Sequence, residues 1–86
     1  MAEQPVFTVY SRAGCHLCEV LLEELQPLVR GRARIAVVDI DTRDELKEQY
    51  DTRVPVLEKD GVFLCQYQLD RAAVLASLPP APQNSP

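Results

Sequence analysis

The sequence predicts an α/β fold: a four-stranded mixed sheet with helices on both faces, in the order β-α-β-α-β-β-α. Three observations predict it. Runs of β-branched and aromatic residues alternate with segments whose apolar residues recur at helical spacing. The first two such runs flank a helical segment, the crossover that parallel strands require. The last two flank Asp60-Gly61, a strong signal for a tight antiparallel hairpin.

Residues 6–10 (Val, Phe, Thr, Val, Tyr) suit a buried strand. Residues 11–14 form a turn, and Gly14 permits an unusual φ there. From Cys15 to about Arg30 the pattern is helical. Leu17, Val20, Leu21, Leu25 and Leu28 define the inward face, while Glu19, Glu23 and Gln26 point elsewhere. Pro27 is expected to kink or shorten the last turns, and Gly31 to end the helix.

Ile35, Ala36, Val37, Val38 and Ile40 form a nearly unbroken apolar run, which predicts a central strand covered on both faces. Thr42-Arg43-Asp44-Glu45 fits a capping box with Thr42 as N-cap. The short helix it opens turns Leu46 and Tyr50 inward. Residues 54–57 read as a strand beginning at a proline, and residues 62–65 as the returning strand. Asp70 opens a last helix with Val74, Leu75 and Leu78 inward, stopped by Pro79-Pro80. Residues 1–78 therefore make one domain, and the tail 79–86 is expected to be disordered.

Eighty-six residues, 47% hydrophobic, suffice for one packed core and no second one. No apolar run reaches the roughly 18 residues of a membrane span. The first residues lack the basic and apolar regions of a signal peptide, so a cytoplasmic location is expected. The net charge of −4 argues against nucleic acid as a partner, because phosphate binding needs a basic field. Three cysteines, an odd number, do not suggest a structural disulfide framework.

The most informative stretch is Cys15-His16-Leu17-Cys18. It lies where a strand gives way to a helix. That position sets Cys15 over unpaired backbone N–H groups, whose partial positive charge favours a thiolate. Cys18, one turn later, is placed to close a disulfide behind it. His16, when protonated, would favour the thiolate further, and its charge can change near neutral pH. Inert thiols are the alternative reading of the pair.

With these residues in view, the chain resembles the thioredoxin superfamily and, within it, glutaredoxins. The resemblance covers about residues 5–78. Ser11-Arg12-Ala13-Gly14-Cys15-His16-Leu17-Cys18 is similar to the glutaredoxin active-site segment, with a basic residue three before the first cysteine. Val54-Pro55 is similar to the family's cis-proline loop. The hairpin and short final helix match its C-terminal unit. The Cys-His-Leu-Cys and Arg-Val-Pro-Val-Leu combination looks most like a small, poorly characterised glutaredoxin-like branch.

The resemblance implies a thioredoxin-like, glutaredoxin-type fold and thiol–disulfide exchange, with Cys15 as nucleophile and Cys18 as resolving residue. It implies that Arg12 lowers the Cys15 pKa or holds an anionic substrate group. Pro55 would be cis beside Cys15, with the Val54 backbone pairing with a bound peptide or glutathione. Arg53 faces either the substrate channel or solvent. The sequence departs from ordinary glutaredoxins in two places. His16-Leu17 replaces their Pro-Tyr, and residues 64–70 contain no glycine where the family has a Gly-Gly that grips glutathione.

Weak glutathione binding is therefore expected: glutathione enters as a co-substrate, and no bound cofactor is expected. Tyr67 either lines the opening where the glycines would be or caps the core edge. Asp70 keeps a helix-start position. Cys65 reads as a small buried hydrophobe or, alternatively, a regulatory thiol. Asp39 and Asp41 read as a solvated strand end.

The expected partner is a disulfide-containing protein or a small thiol substrate, and the expected state is a monomer with no membrane attachment. Two other functions compete. One is a peptide-binding or redox-sensing module without turnover. The other is zinc or an iron–sulfur cluster held through the CxxC, although four zinc ligands at suitable spacing are not present.

Overall fold

A computed structural model describes residues 4–78. The expected stop at Pro79-Pro80 and the expected disorder of residues 79–86 lie outside the described residues. The chain forms β1 (Val6–Ser11), α1 (His16–Val29), β2 (Arg34–Asp39), α2 (Asp44–Tyr50), β3 (Val56–Lys59), β4 (Val62–Gln66) and α3 (Arg71–Ser77). Two short 3-10 turns, Ile40–Thr42 and Asp51–Arg53, flank α2. The four strands make one mixed sheet in the order β2-β1-β3-β4. β1 is parallel to β2 and antiparallel to β3, which is antiparallel to β4. No helix among the described residues is long and apolar enough to cross a membrane.

The period of two along the strands divides the core into two layers. Phe7 and Val9 of β1 and Leu57 of β3 face one side, packing with Leu21, Leu25 and Val29 of α1 and Val74 of α3. Tyr10 and Val56 belong to the other layer, with Ile40, Leu46 and Tyr50. Thus α1 and α3 cover one face of the sheet and α2 the other. The hairpin turns on Asp60 and Gly61, both at positive φ (50° and 85°), as a two-residue primed turn requires. Asp60 also ties the hairpin to the start of β1: its carboxylate accepts the Val6 amide at 3.0 Å, and its own amide donates to the Val6 carbonyl at 2.8 Å.

Five details differ from the sequence reading. β2 is an edge strand, not a central one. β1 occupies the centre because it pairs on both sides, and Val37 of β2 is 54% exposed. The buried stripe of α1 is Cys18, Leu21, Leu25 and Val29, so Leu17 is left 46% exposed and Val20 half-buried. The sheet, not the most regular apolar spacing, selects the inward face. In α3, Val74 and Leu78 are buried but Leu75 is exposed.

The capping box does not form. Residues 40–42 wind into a 3-10 turn, where the Thr42 hydroxyl donates to the Asp39 carbonyl at 2.7 Å. Glu45 pairs with Arg43 instead, and Arg43 becomes the N-cap. Finally, Pro27 does not shorten α1, which continues to Val29. Pro27 is exposed and in the last turn, where water can satisfy a lost ladder bond.

Candidate active site

The Cys15–Cys18 segment is built by a turn and a helix start. Gly14 sits at φ +77°, a conformation that suits glycine. The Cys15 amide donates to the Arg12 carbonyl at 3.3 Å, closing a four-residue turn. Cys15 then adopts extended geometry as the N-cap of α1. Its Sγ accepts the Cys18 amide at 3.1 Å, the role an Asp or Ser oxygen usually plays. The sulfur therefore lies at the positive end of the helix, where a thiolate is favoured.

The two cysteines are adjacent, with Cα atoms 5.2 Å apart, inside the range a disulfide bridges. They are not equivalent. Cys15 is half-buried, whereas Cys18 is 3% exposed. Cys18 packs in the second core layer with Val54 and Val56, and Cys15 packs against the same cluster. The fold thus brings the dithiol and the Val54-Pro55 segment together from sequence positions some forty apart. The Val54–Pro55 peptide is cis, and both residues are buried.

The remaining candidates are placed as follows. His16 is exposed on the first turn of α1, and Arg53 is exposed in the turn before Val54. Arg12 directs its guanidinium to two carboxylates. Nη2 and Nε donate to Asp41 at 2.7 and 3.3 Å, and Nη1 donates to the Asp51 carbonyl and carboxylate at 3.2 and 3.3 Å. The hydrogen bonds from Arg12 hold the Asp41 carboxyl below the usual carboxylate range, and Asp41 in turn raises Arg12. Asp70 is the N-cap of α3, its carboxylate accepting the Ala73 amide at 3.0 Å. Its contacts are local ones.

Tyr67 lies in the β4–α3 loop at φ +67°. Its amide donates to the Pro55 carbonyl at 2.8 Å, and the Gln68 amide donates to the Gln66 carbonyl at 2.7 Å. The side chain of Tyr67 lines a groove of about 260 Å³ with Leu17, Val20, Leu21, Glu24 and Leu69. Cys65 is buried next to this loop, and burial pushes its thiol up despite a hydrogen bond from the Asp70 amide.

Several groups near the site are invisible to local sequence patterns. Asp41 and Asp51 are joined to Arg12 across 29 and 39 residues. Tyr10 and Tyr50 stack with ring centroids 4.3 Å apart, and their hydroxyls donate to the two oxygens of Glu58 at 3.4 and 3.3 Å. The one available signal was Tyr10 at the inner end of β1 and Tyr50 on the inward side of α2. Among the described residues, no group of three or more His, Cys, Asp or Glu side chains is arranged to hold a metal ion.

Comparison with known proteins agrees with this geometry. No curated protein matches the chain at a significant level. Protein Ne2328 from Nitrosomonas europaea, solved by NMR, is 35% identical with a TM-score of 0.79, covering 92% of this chain and 96% of that one. The protein XcR50 from X. campestris is 31% identical with a TM-score of 0.64, covering 81% and 91%. A mutant thioredoxin from Halobacterium salinarum, 24% identical with a TM-score of 0.59, covers 86% of this chain and 71% of its own and shares the fold. The family described as "Glutaredoxin-like domain (DUF836)" matches residues 6–79, and the chain belongs to this glutaredoxin-like family of the thioredoxin superfamily.

Proposed function

We propose that the chain is a thiol–disulfide oxidoreductase with Cys15 as nucleophile and Cys18 as resolving residue. The observation that carries this reading is the unequal placement of two adjacent sulfurs. The outer one caps a helix N-terminus and is reachable, and the inner one is buried one turn behind it.

The Cys15 thiolate attacks one sulfur of a substrate disulfide. A Cys15–substrate S–S bond forms, the substrate's own S–S bond breaks, and the departing thiolate takes a proton from water. Cys18 gives its proton to solvent and attacks the Cys15 sulfur. The second substrate thiolate leaves, and Cys15 and Cys18 are joined. Two electrons pass from the dithiol to the substrate.

The substrate is a disulfide-containing protein or a low-molecular-weight disulfide. Val54, packed in one cluster with the dithiol, and Pro55, joined to it by a cis peptide, supply a wall and a backbone segment against which an extended substrate lies. His16, exposed one residue after Cys15, and Arg53, exposed one residue before Val54, are the side chains offered to substrate on the two segments that the fold brings together. Glutathione binds weakly as a co-substrate, since Tyr67 stands where a glycine would leave room. Asp70 gives one carboxylate oxygen to the Ala73 amide as the cap of α3.

The test has two arms. Mild oxidation followed by mass analysis should find a reversible Cys15–Cys18 disulfide and leave Cys65 free. Reduction of a small disulfide should be lost in Cys15→Ser, and Cys18→Ser should accumulate a mixed disulfide on Cys15. Free thiols under oxidant, or an unchanged rate in Cys15→Ser, would overturn the proposal.

A further inference from the structure

We infer that Arg12 is a positioning residue that clamps the Cys15 turn to the segment leading into Pro55, rather than an anchor for anionic substrates. The inference rests on the oxidoreductase reading above and concerns how its nucleophile is held.

Arg12 acts through both its backbone and its side chain. Its carbonyl accepts the Cys15 amide, so a shift of Arg12 shifts Cys15. Its guanidinium forks onto Asp41, in the turn that follows β2, with Nη2 and Nε on the two carboxylate oxygens at 2.7 and 3.3 Å. Its Nη1 reaches Asp51, whose 3-10 turn leads directly into Val54-Pro55. One planar group thereby joins three chain segments that meet at the site. A fork of this kind demands arginine, because lysine offers a point charge on a flexible stem.

Charge decides against the anchor role. One guanidinium faces two carboxylates, so the cluster carries a net negative charge and does not attract an anion. The three side chains are 32%, 43% and 68% exposed. Ion pairs this accessible contribute little to global stability. Loss of the clamp should therefore change the geometry of Cys15 and leave the fold standing. A misplacement of about 1 Å can cost on the order of a hundredfold in rate, so a partial loosening has ample leverage.

The experiment compares wild type, Arg12→Lys and Asp41→Ala in the reduction of two probes, neutral hydroxyethyl disulfide and a dianionic nitrobenzoate disulfide, with dithiothreitol regenerating the Cys15–Cys18 dithiol after each turnover and its uncatalysed rate subtracted. Both variants should lower kcat about tenfold for both probes, with KM little changed and the melting temperature near wild type. Wild-type kcat in Arg12→Lys would overturn the clamp, because charge alone would then suffice. So would a lower KM for the dianionic probe in Asp41→Ala, since a freed guanidinium would then be acting as an anchor. A wild-type protein inert toward both probes would overturn the oxidoreductase reading itself, and this role with it.

Discussion

The amide of Tyr67 donates to the carbonyl of Pro55 at 2.8 Å, tying the loop after β4 to the segment beside the dithiol. The bond is made with Tyr67 in left-handed geometry, φ +67°, within a turn closed by Gln68 and Gln66. A bulky residue held there costs on the order of 1 kcal/mol or more, a cost glycine escapes.

Tyr67→Gly should therefore keep or raise stability, by up to about 1 kcal/mol, although its ring contacts in the groove are lost. Tyr67→Ala keeps the strain, loses the ring and should be less stable than wild type. Urea denaturation of the three proteins distinguishes them; a Gly variant weaker than the Ala variant would refute the strain argument. The Gly variant should also bind glutathione more tightly than wild type in a calorimetric titration, because it removes a side chain that lines the groove.

The two leucines of α1 that the sequence pattern treated alike should behave differently. Leu25 is fully buried against the sheet, and Leu17 is nearly half exposed. Leu25→Ala should cost about 2–5 kcal/mol through lost burial and the cavity left behind. Leu17→Ala should stay within about 0.5 kcal/mol. Comparable losses at the two positions in denaturant melts would show that α1 is rotated away from the Cys18–Leu21–Leu25–Val29 face.

Legibility in the sequence followed the range of the interaction. The Asp60-Gly61 turn, the Asp70 cap and the helix start at Cys15 depend on a few neighbouring residues, and each could be read directly. The pairing order of the strands is set across the whole chain, so the apolar run of β2 has the pattern of a central strand although β2 lies at the edge. Thr42 satisfied a local capping pattern but was drawn into a tighter turn by Ile40, which is fully buried. In the site, the dithiol and Val54-Pro55 were legible because each carries a motif. The Arg12 clamp was not, since its carboxylates lie far along the chain and resemble any solvated acid until the fold brings them in.

Cys65 should prove inert in the native protein. It is buried in the layer with Leu57 and Val74, and burial pushes its thiol above the usual range. Thiolate is the reactive form, so alkylation requires opening of the core. With Cys15 and Cys18 oxidised, iodoacetamide should leave Cys65 unmodified in buffer and modify it fully in denaturant. Rapid native labelling, read by intact mass, would instead make Cys65 an accessible thiol.

The stacked tyrosines give the protein a specific alkaline signature. Tyr50 is pushed up to about 12, first by burial and then by the charge of Glu58. Because its folded value exceeds the unfolded one near 10, the folded state holds the proton longer. The resulting stability is fully present below pH 10 and is lost as pH rises through about 12. Titration of tyrosinate absorbance should show one of the three tyrosines ionising last, and Tyr50→Phe should remove that step. Glu58→Gln should move it to lower pH without abolishing it, because the charge is removed and the burial remains. A late step that survives in Tyr50→Phe would assign the shift to another tyrosine and refute the role given to this stack.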